Sequence, residues 1–264
     1  KYYKYEDPEY SITQTPLNEQ DLKTMSEAVE VLRQFKGFSY FTEMSDIINR
    51  LEDHVASARM KTTPVIDFEK NESLKGLDYL DTIYHAIVNE HPIQLKYRSF
   101  KARSANSFIF YPYLLKEYRN RWFVYGVRGN GRILQNLALD RIQSLEVLPQ
   151  EHYIKNTFFD PNTFFDDLVG VTKNSGSVAE KIGFKVAAAE APYIITKPIH
   201  RSQQVVERLA DGSVILEIEV VINHELERVF FGYAEGIQIL YPKTLVELMG
   251  RKLKKAAEQY THSK

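Results

Sequence analysis

Apolar positions along the 264-residue chain change period twice, and the changes divide it into parts. Over residues 18–35, Leu22, Met25, Ala28, Val29, Leu32 and Phe35 recur at spacings of three and four, which predicts an amphipathic helix closed by Gly37. A second such stripe, Met44, Ile47, Ile48, Leu51 and Val55, predicts a helix over residues 41–55, and Leu77, Leu80, Ile83, Tyr84 and Ile87 predict a third over residues 77–89. Pro92 ends that pattern, and the period drops to two: Ile93, Leu95 and Tyr97 alternate with Gln94, Lys96 and Arg98. Strand-like runs follow at 107–116, 121–127 and 133–147, separated by short turns. Closely connected antiparallel strands of this length leave exposed edges unless the sheet closes, so a small SH3-like or Sm-like barrel is expected.

Residues 156–177 carry Phe158, Phe159, Phe164, Phe165 and Leu168 without a clear period, and read as a packed connector. Beyond it the order is strand, helix, strand, strand, helix, strand, helix, with Asp211-Gly212 marking a hairpin between two alternating runs. This order predicts a ferredoxin-like α+β sandwich. The first dozen residues, with aromatic and charged side chains alternating up to Asp7-Pro8, suit a short strand. The expected class is therefore α+β, in four parts: a helical linker or dimerisation segment with an N-terminal strand at 1–75, the barrel at 76–150, the connector at 151–178, and the C-terminal α+β domain at 179–264.

Composition narrows the chemistry. Hydrophobic residues make up 44% of the chain, enough for true cores. Absence of cysteine excludes disulfides, thiolate metal sites and cysteine nucleophiles. No apolar run is long enough to cross a bilayer, and the N-terminus lacks a signal-peptide pattern, so a cytoplasmic location without membrane contact is expected. The seven histidines form no His-Glu-x-x-His pair and there is no Gly-x-Ser-x-Gly elbow. The glycine-rich stretch from Gly126 to Gly131 leads into a strand and reads as a hairpin turn, not a phosphate loop. Neither an enzyme, a cofactor nor a metal site is expected.

Charge points elsewhere. The net charge of −1 conceals a segment, residues 91–142, with ten Lys and Arg against two acidic residues, or +8. A basic stretch between acidic flanks suits an anionic partner. At its centre Trp122, the only tryptophan, is bracketed by Arg119, Arg121, Arg128 and Arg132. In an extended strand Arg121, Phe123 and Tyr125 face one way and Trp122, Val124 and Arg128 the other, so cations and rings share both surfaces. Guanidinium groups meet phosphates and aromatic planes stack on bases, which makes this a candidate nucleotide surface.

Arg121-Trp122-Phe123-Val124, followed by the run from Gln135 through Leu139-Asp140-Arg141-Ile142, resembles the WYL domain family, named for a Trp-Tyr-Leu run. Tyr111-Pro112-Tyr113-Leu114 fits a proline-containing strand of that family. Asp211-Gly212-Ser213-Val214 through Gly232 and Leu240-Tyr241-Pro242 look like the extension that often follows it. The resemblance implies the ligand-sensing and dimerising part of a bacterial transcriptional regulator, which binds a nucleotide or nucleic acid in its barrel and controls an attached helix-turn-helix that reads DNA. Tyr97, Arg98, Tyr111, Arg128, Arg132, Gln135 and Arg141 are then the expected ligand contacts, with Trp122 supporting the pocket. Residues 1–75 offer no basic recognition helix, so the DNA-reading domain is expected outside this chain. The sequence departs from the family at Gln135, where an arginine is common, and at Tyr111, where a histidine is common. A free-standing Sm-like module binding RNA or another single strand is the alternative.

Overall fold

The computed structural model describes residue 24, residues 75–129, residue 131 and residues 133–261. Apart from Thr24, which is helical, the helices expected over 18–35 and 41–55 and the N-terminal strand lie outside these residues. The chain divides into two compact units, Lys1–His85 and Ala86–Lys264. The described end of the first holds a 3-10 turn, Leu77–Tyr79, and the start of helix α1, Leu80–Val88, whose Leu80 and Ile83 are fully buried. Of the stripe read from the sequence, Leu77, Leu80 and Ile83 are buried, Ile87 is partly buried, and Tyr84 is exposed.

In the second unit α1 ends in a Schellman arrangement. Glu90 takes φ 53°, the His91 amide donates to the Ala86 carbonyl at 2.8 Å, and the Glu90 amide donates to Ile87 at 3.2 Å. Pro92 follows and the chain becomes extended.

Five antiparallel strands come next: β1 (Ile93–Tyr97), β2 (Asn106–Tyr118), β3 (Arg121–Arg128), β4 (Leu134–Ala138) and β5 (Ile142–Val147), in the order β4-β3-β2-β1-β5. The β2–β3 hairpin turns through Arg119 and Asn120, both at positive φ (50° and 61°), as two-residue turns matched to strand twist require. The run expected as one strand over 133–147 is two, because a 3-10 turn, Leu139–Arg141, interrupts it and buries Leu139.

The expected closed barrel is not formed. Among the described residues β4 and β5 share no ladder, so the sheet is open. The physical reason is the three-residue turn: it redirects the chain from the β3 side to the β1 side before any β4–β5 hydrogen bond can form.

Register assigns the faces. Ile93, Leu95, Phe110, Val124 and Leu137 point one way and are buried. Gly126 shares that face because Phe110 lies across it: a Cβ there would meet the Phe110 ring at 2.7 Å and the Tyr111 carbonyl at 2.1 Å. On the opposite face Tyr111, Tyr113 and Val127 form a buried cluster covered by Tyr153, Ile154, Phe158 and Phe159 of the connector. Tyr113 shares that side with Tyr111 by strand alternation, and a bulge between Pro112 and Leu114 leaves it without a ladder partner on β3.

The C-terminal part runs β6 (Glu180–Val186), α2 (Ala191–Thr196), β7 (Gln204–Arg208), β8 (Val214–Val220), α3 (His224–Gly232), β9 (Ile237–Tyr241) and α4 (Lys243–Thr261), the order expected from the sequence. Its antiparallel sheet is ordered β7-β8-β6-β9. Ile182, Phe184, Leu216, Ile218, Ile194 and Phe230 form its core, which explains the strict alternation in β8.

The connector is bonded to the first sheet and to the start of α3. The Val171 carbonyl accepts from the Tyr125 hydroxyl of β3 and from Asn136 Nδ2 of β4, the latter at 2.6 Å. Asn223, 6% exposed, caps α3 by accepting the Leu226 amide at 2.8 Å, and its Nδ2 donates to the Val169 and Thr172 carbonyls, both at 2.9 Å.

Candidate functional site

Two places on the five-stranded sheet hold the arginines singled out from the sequence. The first is the corner where β1 ends beside the turn Leu139–Arg141. The pairing of Tyr97 with Ile142, after an irregularity between Lys96 and Tyr97, brings Tyr97 next to Arg141. Burial pushes the Tyr97 phenol up from its ordinary value, and the Arg141 guanidinium alongside opposes that rise. Arg98 follows, with its amide donating to the Arg141 carbonyl at 3.1 Å and its side chain exposed. This bond fixes the turn against β1.

Arg141 is held between a ring and a carboxylate. Its guanidinium carbon lies 4.5 Å from the centroid of Phe100, an exposed ring at 73%. Its Nε is 3.8 Å from Asp140 Oδ1, while Arg121 Nε approaches Asp140 Oδ2 at 3.3 Å. Asp140 is only 14% exposed, Arg141 27% and Arg121 48%. Both Asp140 Oδ1 and Arg141 Nε are buried, and neither has a hydrogen-bond partner among the described residues. The corner thus gathers two arginines around one carboxylate, with one open aromatic face beside Arg141. It can pair with an anion through the guanidinium groups and stack a planar group on Phe100.

The second place is Arg128, at the far end of β3. Its guanidinium carbon sits 4.1 Å over the ring of Phe108, which shares its face of the sheet. Gln135, opposite Gly126 in β4, lies on the same face. Six residues of strand separate Arg128 from Trp122, about 20 Å at strand rise.

The residues read from the sequence therefore do not all meet. Tyr97, Arg98 and Arg141 come together. Arg128 and Gln135 lie on one face toward the other end of β3, and half-buried Trp122 lies on that face at the end of β3 next to Arg121. Tyr111 is on the opposite face, under the connector, where its ring makes an edge contact with Tyr153. Arg132 lies outside the described residues. Sequence reasoning missed Phe100 and Phe108 as partners of the arginines, although an aromatic residue near the end of a basic turn was a usable signal. It also placed Arg121 only by strand parity, without its bond to Asp140. Among the described residues no group of His, Asp and Glu is placed to hold a metal ion, and no helix is long and apolar enough to cross a membrane.

Comparison with known proteins adds the family. No curated protein matches the chain. Similar solved structures include the proteasome accessory factor B/C (PafBC) of Arthrobacter aurescens, at 16% identity and a TM-score of 0.29 over 73% of this chain, and a CRISPR Cas-related protein, at 10% identity and a TM-score of 0.44 over 92% of this chain. The match covers 28% of the length of the PafBC chain and 86% of the other. The WYL domain matches residues 78–147, which span the open sheet and its cationic corner, and the WCX domain matches residues 179–257, which span the four-stranded sheet and its helices. The chain carries a WYL domain followed by a WCX domain.

Proposed function

We propose that this chain is the ligand-sensing part of a bacterial, cytoplasmic transcriptional regulator, and that a nucleotide or nucleic-acid segment binds at the Tyr97–Arg98–Arg141 corner of the WYL sheet. The observation that carries this reading is Arg141 lying over the exposed Phe100 ring, with Arg121 on the neighbouring Asp140 and Arg98 joined to Arg141 through the backbone. A phosphate meets the guanidinium groups there, and a base finds an open aromatic face. Arg128 over Phe108, with Gln135 on the same face, offers a second station for a longer strand. Trp122 stiffens β3 between the two, and Tyr111 supports the sheet from behind.

The output is linkage. A ligand that prefers one arrangement of the two sheets shifts the population of that arrangement, and with it a DNA-binding domain outside this chain. The bonds from Val171 to β3 and β4, and from Asn223 to the connector, give such a shift a route into the WCX part, for which a ferredoxin-like sandwich and a role in homodimer formation are part of the same proposal.

The test is fluorescence anisotropy of a labelled single-stranded oligonucleotide, read at low and raised salt. Binding is expected to weaken on a log–log salt plot by about 0.7 per phosphate engaged. Arg141→Gln is expected to cost about tenfold and Arg128→Gln less. No binding at low salt, or an Arg141→Gln variant indistinguishable from wild type, overturns the reading.

A further inference from the structure

Asp140 is an odd residue for the floor of an anion site. It sits at 14% exposure in the middle of the corner, opposite in charge to its neighbours and equal in charge to the ligand. Its two oxygens are used unequally. Oδ2 faces Arg121 Nε at 3.3 Å, whereas Oδ1 stops 3.8 Å short of Arg141 Nε, and both of those atoms lack a hydrogen bond among the described residues. A structural ion pair at this burial normally closes to bonding distance, because unpaired buried polar atoms are costly. Here the pair stays apart: Arg141 is drawn toward the Phe100 ring and Tyr97, and Asp140 toward Arg121. Arg141 Nε is left as a buried donor without an acceptor.

We infer that Asp140 is a resident counter-anion: its carboxylate holds the place of the ligand's phosphate, and binding displaces it from the arginines. This rests on the reading of the corner as the ligand site. Displacement has two consequences in chemical terms. A single carboxylate on a free molecule cannot compete with one tethered in the site, so simple carboxylates bind poorly, whereas a group with more charge and more acceptor oxygens, such as a phosphate chain, outcompetes it. Asp140 also belongs to the 3-10 turn, which is closed by the Ile142 amide donating to the Leu139 carbonyl. Moving Asp140 aside therefore loosens the junction between β4 and β5, and a local charge exchange becomes a backbone event.

The experiment uses the full chain with inorganic pyrophosphate and acetate as probes, and selectively excited Trp122 fluorescence as the signal. Circular dichroism establishes that each variant is folded. Asp140→Asn keeps the shape and removes the competing charge, and is expected to bind pyrophosphate about fivefold to tenfold tighter than wild type, with acetate binding neither. Arg141→Gln is expected to lose pyrophosphate. A folded Asp140→Asn that binds as wild type or more weakly overturns the counter-anion and leaves the corner as an anion site. Wild type and Arg141→Gln both failing to bind pyrophosphate and the oligonucleotide overturns the site itself. Should Asp140→Asn not fold, hydrogen exchange of the Ile142 amide in wild type decides: faster exchange with pyrophosphate supports displacement, and unchanged or slower exchange refutes it.

Discussion

Asn223 offers the sharpest test of how the two domains are joined, because one side chain serves a helix and a connector at once. In Asn223→Ala the Oδ1 acceptor of the Leu226 amide is lost, a cap worth about 1 kcal/mol. The Val169 carbonyl, buried, is left without its donor at a cost of about 1–2 kcal/mol, and the Thr172 carbonyl, partly buried, at about 0.5–1 kcal/mol because water can replace the lost donor there. Summed, the loss is about 3 kcal/mol, or roughly 6–12 °C in the melting temperature of a protein of this size. Two further variants separate the roles. Asn223→Ser still caps and should lose only about 2 kcal/mol. Asn223→Asp caps equally well, but turns a carboxylate toward two carbonyl oxygens and should be no more stable than Asn223→Ala. Thermal and denaturant unfolding of the three variants provides the measurement. Wild-type stability in Asn223→Asp refutes the claim that the Nδ2 bonds hold the connector, and equal losses in Asn223→Ser and Asn223→Ala refute the claim that the cap contributes.

Other substitutions follow from the same geometry. Gly126→Ala places a Cβ against the Tyr111 carbonyl and the fully buried Phe110 ring, neither free to move, so a loss above about 3 kcal/mol, or no folded protein, is expected in denaturant titration. Glu90→Gly removes a side chain from left-handed backbone and should stabilise the chain by about 1 kcal/mol, despite the loss of an exposed pair with Lys155, as read by the melting temperature. Tyr125→Phe and Asn136→Ala should each cost about 1 kcal/mol, and a double-mutant cycle should show them coupled, since both donate to the Val171 carbonyl. Burial pushes the Tyr113 phenol up from 10.0 to about 12, so its contribution is intact below pH 10 and falls as pH rises toward 12. Tyr113→Phe removes a buried hydroxyl that has no partner among the described residues, and should be at least as stable as wild type and lose less stability over that pH range.

The strands and helices of the described residues were readable because their apolar positions keep period. β8, Val-Ile-Leu-Glu-Ile-Glu-Val, buries alternate residues as its letters suggest. Closure of the first sheet was not readable, since it depends on whether β4 and β5 meet, and three residues between them decide that. The basic segment and the family resemblance singled out Arg98 and Arg141, and the structure brings the two side by side through a backbone bond. Tyr111 was grouped with them because strand parity within β2 says nothing of which face β3 shares with it. That is fixed by register, which sets Tyr111 opposite Val127 and away from Trp122 and Arg128. The interest of Asp140 was hidden for a similar reason: its neighbour Arg121 lies on another strand.

The double acceptance at Val171 bears on how this protein can change in length. Tyr125 and Asn136 stand opposite each other across the β3–β4 ladder and reach the same carbonyl, 46 and 35 residues downstream. Slipping that ladder by one residue would carry one of the two donors to the other face of the sheet, so the carbonyl recognises one alignment and rejects its neighbours. The turn through Gly129 and Gly131 looks permissive, yet an insertion there that shifts the pairing is read out at a distant point of the chain. Natural variation or engineering in that turn is therefore expected to conserve strand alignment even where it changes the turn's own residues, because the gauge that checks it lies in the connector.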